Sequence, residues 1–244
     1  MPPCELGVVG AGGRLGARIA ATASELGLSV TFVAGRNYWR GGIPDVLIDV
    51  SVPKMLPRIA DFCAQNSVRL VSAVSGLTDS DLERLAALGR DVAVLRADNL
   101  SLGHYLQKCL ITSLATMVAA ASPDDSGWHV LDRHPSTKRD RPSATAQALA
   151  QAVRSEGATD VGVDSVRGGL PVCDHTVETV IGQETVAVFH SVRDWSAYAT
   201  SAVHAAQWLY QVRSQGLLSM DDYYGQVLAP SPHLAAPTHK GARP

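Results

Sequence analysis

The segment at residues 134–146, H-P-S-T-K-R-D-R-P-S-A-T-A, carries the densest set of chemically capable side chains in this 244-residue chain. It combines an imidazole, an ammonium group and two hydroxyls just before a predicted helix: His134, Lys138, Ser143 and Thr145. The first N–H groups of a helix are unpaired and its dipole favours negative charge, so this segment predicts an anion or oxyanion site. The alternative is an exposed basic loop in which Ser143 or Thr145 only caps the helix.

A glycine-rich turn near the start of the chain predicts a nucleotide site. A short apolar strand, Glu5–Val9, leads into G-A-G-G-R-L-G at residues 10–16, and a helix is predicted over Ala17–Leu26. Glycines in a strand–turn–helix unit permit a tight turn and let the backbone approach a pyrophosphate. Leu15 breaks the strict G-x-G-x-x-G pattern, and a turn that binds no cofactor is the alternative. The predicted cofactor residues here are Gly10, Gly12, Gly13, Arg14, Leu15 and Gly16.

Arg36 follows the second predicted strand, Leu28–Ala34, where many NAD-binding proteins carry a carboxylate. That carboxylate holds the 2′-hydroxyl of the adenosine ribose, whereas a guanidinium can bind the 2′-phosphate of NADP. Arg36 therefore favours NADPH as cofactor. NADH stays possible if the guanidinium only stacks on the adenine.

Strands and helices alternate over roughly the first 100 residues, which predicts a doubly wound parallel sheet. Further strands are predicted at 45–51, 69–74 and 91–96, helices at 53–66 and 78–88, and a link without regular structure at 37–44. Ligands of such sheets bind beyond the carboxyl ends of the strands. The residues placed to line the nicotinamide end are Ser75, Gly76 and Asn99.

After a long predicted helix at 103–121 and a loop at 123–127 the pattern changes to successive strands, at 128–133, 161–167, 172–181 and 185–191. A run of strands after alternating units predicts a second, α+β domain with an open mixed sheet, its last two strands forming a hairpin. A helix is predicted directly after the polar segment 134–146, from Gln147 to Arg154. His104 is expected to be a surface or interface residue rather than a catalytic one.

The predicted domain boundaries follow from this change of pattern. Residues 1–103 and 199–228 form the dinucleotide-binding domain and residues 104–198 the second domain, with a disordered tail at 229–244. A helix at 196–212 is expected to pack Trp208 and Leu209 back on the first domain.

Composition excludes several classes of function. A formal net charge of −2 gives no reason to expect nucleic acid or an anionic membrane surface as partner. The four cysteines lack metal-ligand spacing, so we expect reduced thiols and no metal site. No apolar run reaches the roughly 18 residues of a membrane span, and no signal-peptide layout is seen, so a cytoplasmic protein is expected.

Four segments occur in one order and at compatible spacing: G-A-G-G-R-L-G at 10–16, S-G-L at 75–77, A-D-N-L-S-L-G at 97–103, and H-x-x-x-K-x-D-x-P-S-x-T-A at 134–146. Together they resemble the dihydrodipicolinate reductase family, NAD(P)H enzymes of the lysine and diaminopimelate pathway. Later echoes are V-R-G-G-L-P at 166–171, H-T-V-E at 175–178 and A-V-H-A-A-Q-W-L at 202–209. The resemblance covers roughly residues 5–226.

The resemblance implies a Rossmann-type domain completed by the C-terminal helices and a second domain that binds substrate and forms a homotetramer through its sheet. It implies hydride transfer to a carboxylated cyclic imine or unsaturated ring. His134 matches the family's proposed proton donor, and Lys138 matches the lysine that assists protonation and binds the anionic substrate. The implied substrate-binding residues are Arg141, Ser143, Ala144 and Thr145.

Several positions depart from the family pattern. Pro135, Arg141 and Ala144 stand where the family has histidine, alanine and glycine, and Trp195 aligns with a basic residue, although Arg193 lies two positions away. These departures leave open three readings: the lysine-pathway enzyme itself, a cyclic imine reductase of specialised (secondary) metabolism, or a catalytically silent nucleotide-binding homologue.

Overall fold

A computed structural model describes residues 4–121, 126–169 and 172–229, which form eleven strands and seven α-helices. The strands are β1 Leu6–Val9, β2 Val30–Gly35, β3 Tyr38–Gly41, β4 Val46–Asp49, β5 Arg69–Ser72, β6 Ala93–Arg96, β7 Ser126–His134, β8 Val161–Arg167, β9 Cys173–Ile181, β10 Glu184–Val192 and β11 Gly216–Ser219. The helices are α1 Arg14–Glu25, α2 Leu56–Asn66, α3 Asp79–Leu88, α4 Leu102–Ala121, α5 Ala144–Ser155, α6 Ser196–Gln211 and α7 Met220–Val227. Most of the loop predicted at 123–127 and all but the first residue of the tail predicted at 229–244 lie outside the described residues.

The larger sheet has seven strands in the order β11-β6-β5-β4-β1-β2-β3. Every pairing is parallel except that of β2 with β3. All four residues of β1 and of β4 are buried, as expected for central strands covered on both faces. The predicted doubly wound parallel sheet is confirmed.

Helices cover both faces of this sheet and bury two apolar clusters. On one face α1, α6 and α7 pack around Ile19 and Leu209. On the other, α2 and α3 pack around Ile59 and Leu85. Trp208 and Leu209 thus pack on the first domain, as the sequence predicts. The predicted start of α3 is also confirmed, because Thr78 and Asp81 form a reciprocal capping box.

Two strands of the larger sheet, β3 and β11, are not predicted from the sequence. Residues 38–41 form β3 rather than part of an irregular link, because Trp39 packs on Phe32 and Phe62 at ring-centroid distances of 5.6 and 5.5 Å. Strand β11 adds to the sheet beside β6, followed by α7 with its own capping box at Ser219. Both are edge strands that are less buried than the central strands, so they lack the apolar run by which β1 and β4 are predicted.

The smaller sheet has the order β10-β9-β7-β8, with β7 parallel to β8 and the other pairs antiparallel. The mixed sheet and the hairpin of β9 with β10 are therefore confirmed. Helices α4 and α5 cover one face and bury an apolar cluster that includes Trp128, Ile111 and Leu149. None of the helices in the described part of the chain is long and apolar enough to cross a membrane.

Candidate active site

The glycine turn brings β1 and α1 into close backbone contact. Gly10 has a φ of +88° and donates its N–H to Ala34 O at 2.8 Å, while Gly13 donates to Gly10 O at 2.9 Å. A methyl group at residue 16 would lie 2.1 Å from Gly10 O, so only glycine fits there. The predicted helix start at Ala17 is wrong: α1 begins at Arg14, with Gly13 as its N-cap.

The hairpin of β2 and β3 lies beside this turn. Arg36 occupies the two-residue connection and is exposed, and a methyl group at Gly12 would lie 3.7 Å from the Tyr38 hydroxyl. Arg40 lies on the next strand with its guanidinium 5.8 Å from the Tyr38 ring centroid. Tyr38 and Arg40 are not predicted as site residues because their segment is expected to be irregular, although Tyr and Trp are enriched in strands.

A cleft of about 430 Å³ brings predicted cofactor and substrate residues together. Its lining includes Ser75, Gly76, Asn99, Ala144 and Thr145. Asn99, which follows β6, donates from Nδ2 to Thr145 Oγ1 at 3.3 Å. The carboxyl ends of the parallel strands therefore meet the first turn of α5.

His104 also lines this cleft and is half-buried, which excludes a fully exposed position but not the predicted interface position. Burial, together with the nearby His190 and Lys108, lowers the pKa of His104 to about 4. The imidazole is neutral near pH 7 and adds no positive charge to the cleft.

The N-terminus of α5 lies three residues earlier than predicted. The helix begins at Ala144 rather than Gln147, and the Ser143 hydroxyl accepts the Ala146 N–H at 3.2 Å as the N-cap. Thr145 therefore lies inside the first turn and is not the cap. Arg141 is exposed and is not part of the cleft lining.

His134 is the last residue of β7, one position beyond the predicted strand, and is 8% exposed. One ring nitrogen, Nε2, lies 3.4 Å from Oδ2 of Asp132, which is fully buried. Arg167 Nη2 approaches the same oxygen at 3.1 Å. The ring of His175, on β9, packs edge-on against His134 with centroids 5.3 Å apart.

Burial lowers the pKa of His134 below its ordinary value, and the positive charges of Lys138 and Arg167 add to the lowering while Asp132 opposes it. Burial acts on Asp132 in the upward direction, but hydrogen bonds from Ser165, Arg167 and Ser143 hold its pKa below the ordinary range. The pair therefore consists of a carboxylate and an imidazole that titrates below about pH 6.5.

Lys138 lies close enough to His134 for its charge to lower the histidine's pKa. The backbone N–H of Lys138 donates to Pro135 O at 3.0 Å, which closes a tight turn after β7. Its ammonium group lies 3.0 Å from Asp140 Oδ2 and is partly exposed. Pro135 thus supports the turn that returns the lysine toward the histidine.

Three residues around His134 are not among the predicted site residues: Asp132, Arg167 and His175. Asp132 carried a detectable signal, because residues two apart on a strand share a face. Arg167 and His175 come from β8 and β9, and they lie in the segments V-R-G-G-L-P and H-T-V-E that resemble the family, but nothing in the sequence indicates that they approach His134. The three groups Asp132, His134 and His175 are of metal-ligating types and their ligand atoms lie within 4.8 Å of one another. The guanidinium of Arg167 on the Asp132 carboxylate opposes cation binding there.

Arg14 links the glycine turn to the helix that follows the smaller sheet. Its guanidinium lies 5.1 Å from the ring centroid of Trp195, the residue directly before α6. Trp195 also packs on Tyr198 at 5.8 Å, and the Tyr198 hydroxyl lies 3.2 Å from Cys173 Sγ on β9. The departure at Trp195 therefore places an aromatic contact between the two sheets.

A glycine-rich turn on a parallel sheet, combined with a buried imidazole–carboxylate pair on a second sheet, is typical of a nucleotide-dependent oxidoreductase of two structural units. Sequence comparison resolves the class further. The family model for the dihydrodipicolinate reductase N-terminus matches residues 4–100, and that for the C-terminus matches residues 109–224. The chain belongs to the dihydrodipicolinate reductase family.

Individual relatives span nearly the whole chain. The 4-hydroxy-tetrahydrodipicolinate reductase of Gluconacetobacter diazotrophicus is 32% identical over 230 residues, covering 86% of this chain and 85% of that one. The protein of the same name from Archaeoglobus fulgidus is 29% identical over 256 residues, covering 88% and 98%. The dipicolinate-bound dihydrodipicolinate reductase from Paenisporosarcina sp. TG-14 shares the fold, with a TM-score of 0.67, 18% identity, and coverage of 91% and 99%.

Proposed function

We propose that this protein reduces a carboxylated cyclic imine or unsaturated ring with a hydride from NADPH, and that His134 donates the proton. The observation that carries the proposal is the buried His134, held beside the Asp132 carboxylate at the end of β7. Membership of an oxidoreductase family favours catalysis over the reading of a silent nucleotide-binding homologue.

Bound NAD(P)H supplies the hydride, and the protein supplies the groups that bind and protonate the substrate. Hydride addition to a conjugated imine leaves negative charge on nitrogen or carbon. A proton from His134 neutralises that charge, and the ammonium group of Lys138 stabilises it as it develops. The first N–H groups of α5, next to Ser143 and Thr145, suit a substrate carboxylate.

The proposed cofactor site runs from the hairpin to the cleft. The glycine turn takes the pyrophosphate, with Arg14 beside it, and Ser75, Gly76 and Asn99 lie toward the nicotinamide. The fit rests on the missing side chain at Gly16, which lets the β1 backbone approach α1. Of the residues in the proposed site, Arg36 is the one that would distinguish NADPH from NADH, by binding the 2′-phosphate of NADPH.

Replacing Arg36 by alanine is expected to raise the KM for NADPH about tenfold or more and to change that for NADH little. The reason is that a guanidinium–phosphate hydrogen bond contributes on the order of 1.5–3 kcal/mol. Initial rates at varied concentrations of each cofactor measure this. Arg90→Ala removes another exposed arginine, in the turn between α3 and β6, and serves as control. Equal changes for both cofactors would remove the basis of the NADPH preference.

The substrate is either the 4-hydroxy-tetrahydrodipicolinate of the named relatives or a related cyclic imino acid. The departures at Pro135 and Ala144 favour the second reading, because they change the residue after His134 and the first residue of α5 while His134 and Lys138 are retained.

A substrate panel tests the proposed reaction. NADPH oxidation is followed at 340 nm with enzymatically generated 4-hydroxy-tetrahydrodipicolinate and with cyclic imino acids bearing one or two carboxylates. We expect turnover on at least one of these compounds. Turnover on the dicarboxylate alone would assign the departures to drift, whereas NADPH binding without turnover on any compound would contradict the proposal.

We further propose the domain division 1–103 with 199–228, and 104–198, and a homotetramer formed through the uncovered face of the smaller sheet. Support for the assembly comes from three large apolar side chains on that face: Val166 is 46% exposed, Val180 48% and Phe189 61%. Large apolar side chains exposed on one sheet face are consistent with a protein interface there.

A further inference from the structure

We propose that Asp132 is a positioning residue for His134: its buried carboxylate aligns the imidazole and stabilises the protonated ring, and Arg167 limits that stabilisation. The inference rests on the proposed function, in which His134 is the proton donor. It concerns a pair of residues that lies on one strand, β7, but is completed by groups from β8 and from the N-terminus of α5.

The geometry makes Asp132 the nearest anion to the His134 ring. The two residues alternate on β7 and so project from the same face of the sheet. Asp132 Oδ2 lies 3.4 Å from His134 Nε2, and that nitrogen is buried with no hydrogen-bond partner among the described residues. A proton on Nε2 would turn this contact into an ion pair between the imidazolium and the carboxylate. The carboxylate therefore favours the protonated ring over the neutral one.

The carboxylate itself is held from two further elements. The Ser165 hydroxyl donates to Oδ1 from β8. Arg167 Nη2 and the Ser143 backbone N–H donate to Oδ2, at 3.1 and 3.2 Å. Arg167 also donates to Asp140 O at 2.5 Å, and its side chain has no exposed surface. The carboxylate is therefore fixed in place, and a fixed anion fixes the ring that pairs with it.

The connection through Ser143 has a functional consequence. Ser143 is the N-cap of α5, whose first turn is the proposed carboxylate site, and its N–H is bonded to Asp132. One carboxylate thus joins the proposed proton donor to the helix end that would bind the substrate. The two groups are held in a constant relation, which a near-attack geometry requires.

The charged groups that face His134 come from four elements. These are Asp132 on β7, Arg167 on β8, His175 on β9, and Lys138 and Asp140 in the segment before α5. Burial, with smaller contributions from His134 and the other nearby histidines, lowers the pKa of His175 to about 3, so that ring is neutral. Asp140 is paired with Lys138. Asp132 is thus the only fully buried anion in the set.

These charges determine the direction in which the pKa of His134 changes when Asp132 is replaced. Burial lowers the pKa of His134, and Asp132 opposes the lowering. Removing the negative charge therefore lowers the pKa further, and a smaller fraction of the ring is protonated at neutral pH. The rate that depends on the protonated ring should then fall at a lower pH than in the parent protein.

The test is Asp132→Asn, which keeps the size of the side chain and removes its charge. NMR titration of the histidine rings in the full-length protein should show the pKa of His134 lower by about one pH unit or more. The profile of kcat/KM against pH should move down by the same amount, which a purely structural role would not produce. Asp164→Asn is the matched control, because Asp164 lies on β8 but pairs with His129 on the opposite face at 2.9 Å.

Ser165→Ala is a second variant that does not depend on the stability of the first. It removes one donor from the carboxylate but keeps the charge, so Asp132 should stabilise the protonated ring more and the pKa of His134 should rise. The two substitutions therefore shift the same titration in opposite directions. An unmoved His134 titration in both variants would overturn the inference. A moved titration with an unmoved pH–rate profile would instead uphold the Asp132–His134 pairing and overturn His134 as the proton donor.

Discussion

Replacing His134 by alanine is expected to lower kcat about 10²- to 10⁴-fold, the range typical of losing a general acid, while leaving NADPH binding unchanged. The ring is 8% exposed and lies at the end of β7, whereas the glycine turn lies on the other sheet. Steady-state NADPH oxidation measures the loss of turnover, and quenching of protein fluorescence on titration with NADPH measures binding.

His129→Ala is the matched control for this prediction. His129 lies on the same strand but projects from the opposite face, where it pairs with Asp164 and Glu178. Its removal should leave kcat near that of the parent. Full turnover in the His134 variant would remove the imidazole from the mechanism and leave Lys138 as the nearest group able to protonate the substrate.

The same assignment fixes the direction of the pH dependence. The proton donor is active when protonated, and burial lowers the pKa of His134 below its ordinary value of about 6.5. Activity should therefore be greatest on the acidic side and fall as the pH rises through the lowered pKa.

Gly16→Ala is expected to abolish detectable nucleotide binding and to lower the free energy of unfolding by about 1–3 kcal/mol. A methyl group at this position would lie 2.1 Å from Gly10 O, 2.6 Å from Gly10 C and 2.9 Å from Ala11 Cα. All three atoms belong to the backbone and cannot rotate away, so α1 must move from β1. The N–H groups that would bind the pyrophosphate move with it.

Thermal unfolding and NADPH titration measure the two effects separately. Gly12→Ala, in the same turn, is the control for stability, because its methyl group would meet only the Tyr38 hydroxyl, at the ordinary contact distance of 3.7 Å. It should unfold near the temperature of the parent. If Gly16→Ala bound NADPH as the parent does, the close approach of strand and helix would not be a requirement of the site.

The sequence predicted most of the fold because its signals are local. Apolar strands and capped helices depend on residues a few positions apart, as the Thr78–Asp81 capping box shows. The failures have physical causes. Strands β3 and β11 are partly exposed edge strands without an apolar run. The start of α5 is predicted at Gln147, three residues late, because the residues before it are polar.

For the candidate site, the sequence alone predicted the polar segment that holds His134, Lys138 and Ser143, and its resemblance to the family implied that His134 is the proton donor. Only the tertiary structure decided that Asp132 receives Ser165 and Arg167 from β8, and that His175 lies opposite Asp132 on β9. Ser165 is 33 positions away along the chain, and its contact with Asp132 depends on the register of two paired strands. The spacing of residues along the chain does not predict the register in which β7 pairs with β8. The burial that lowers the pKa of His134 also depends on this pairing.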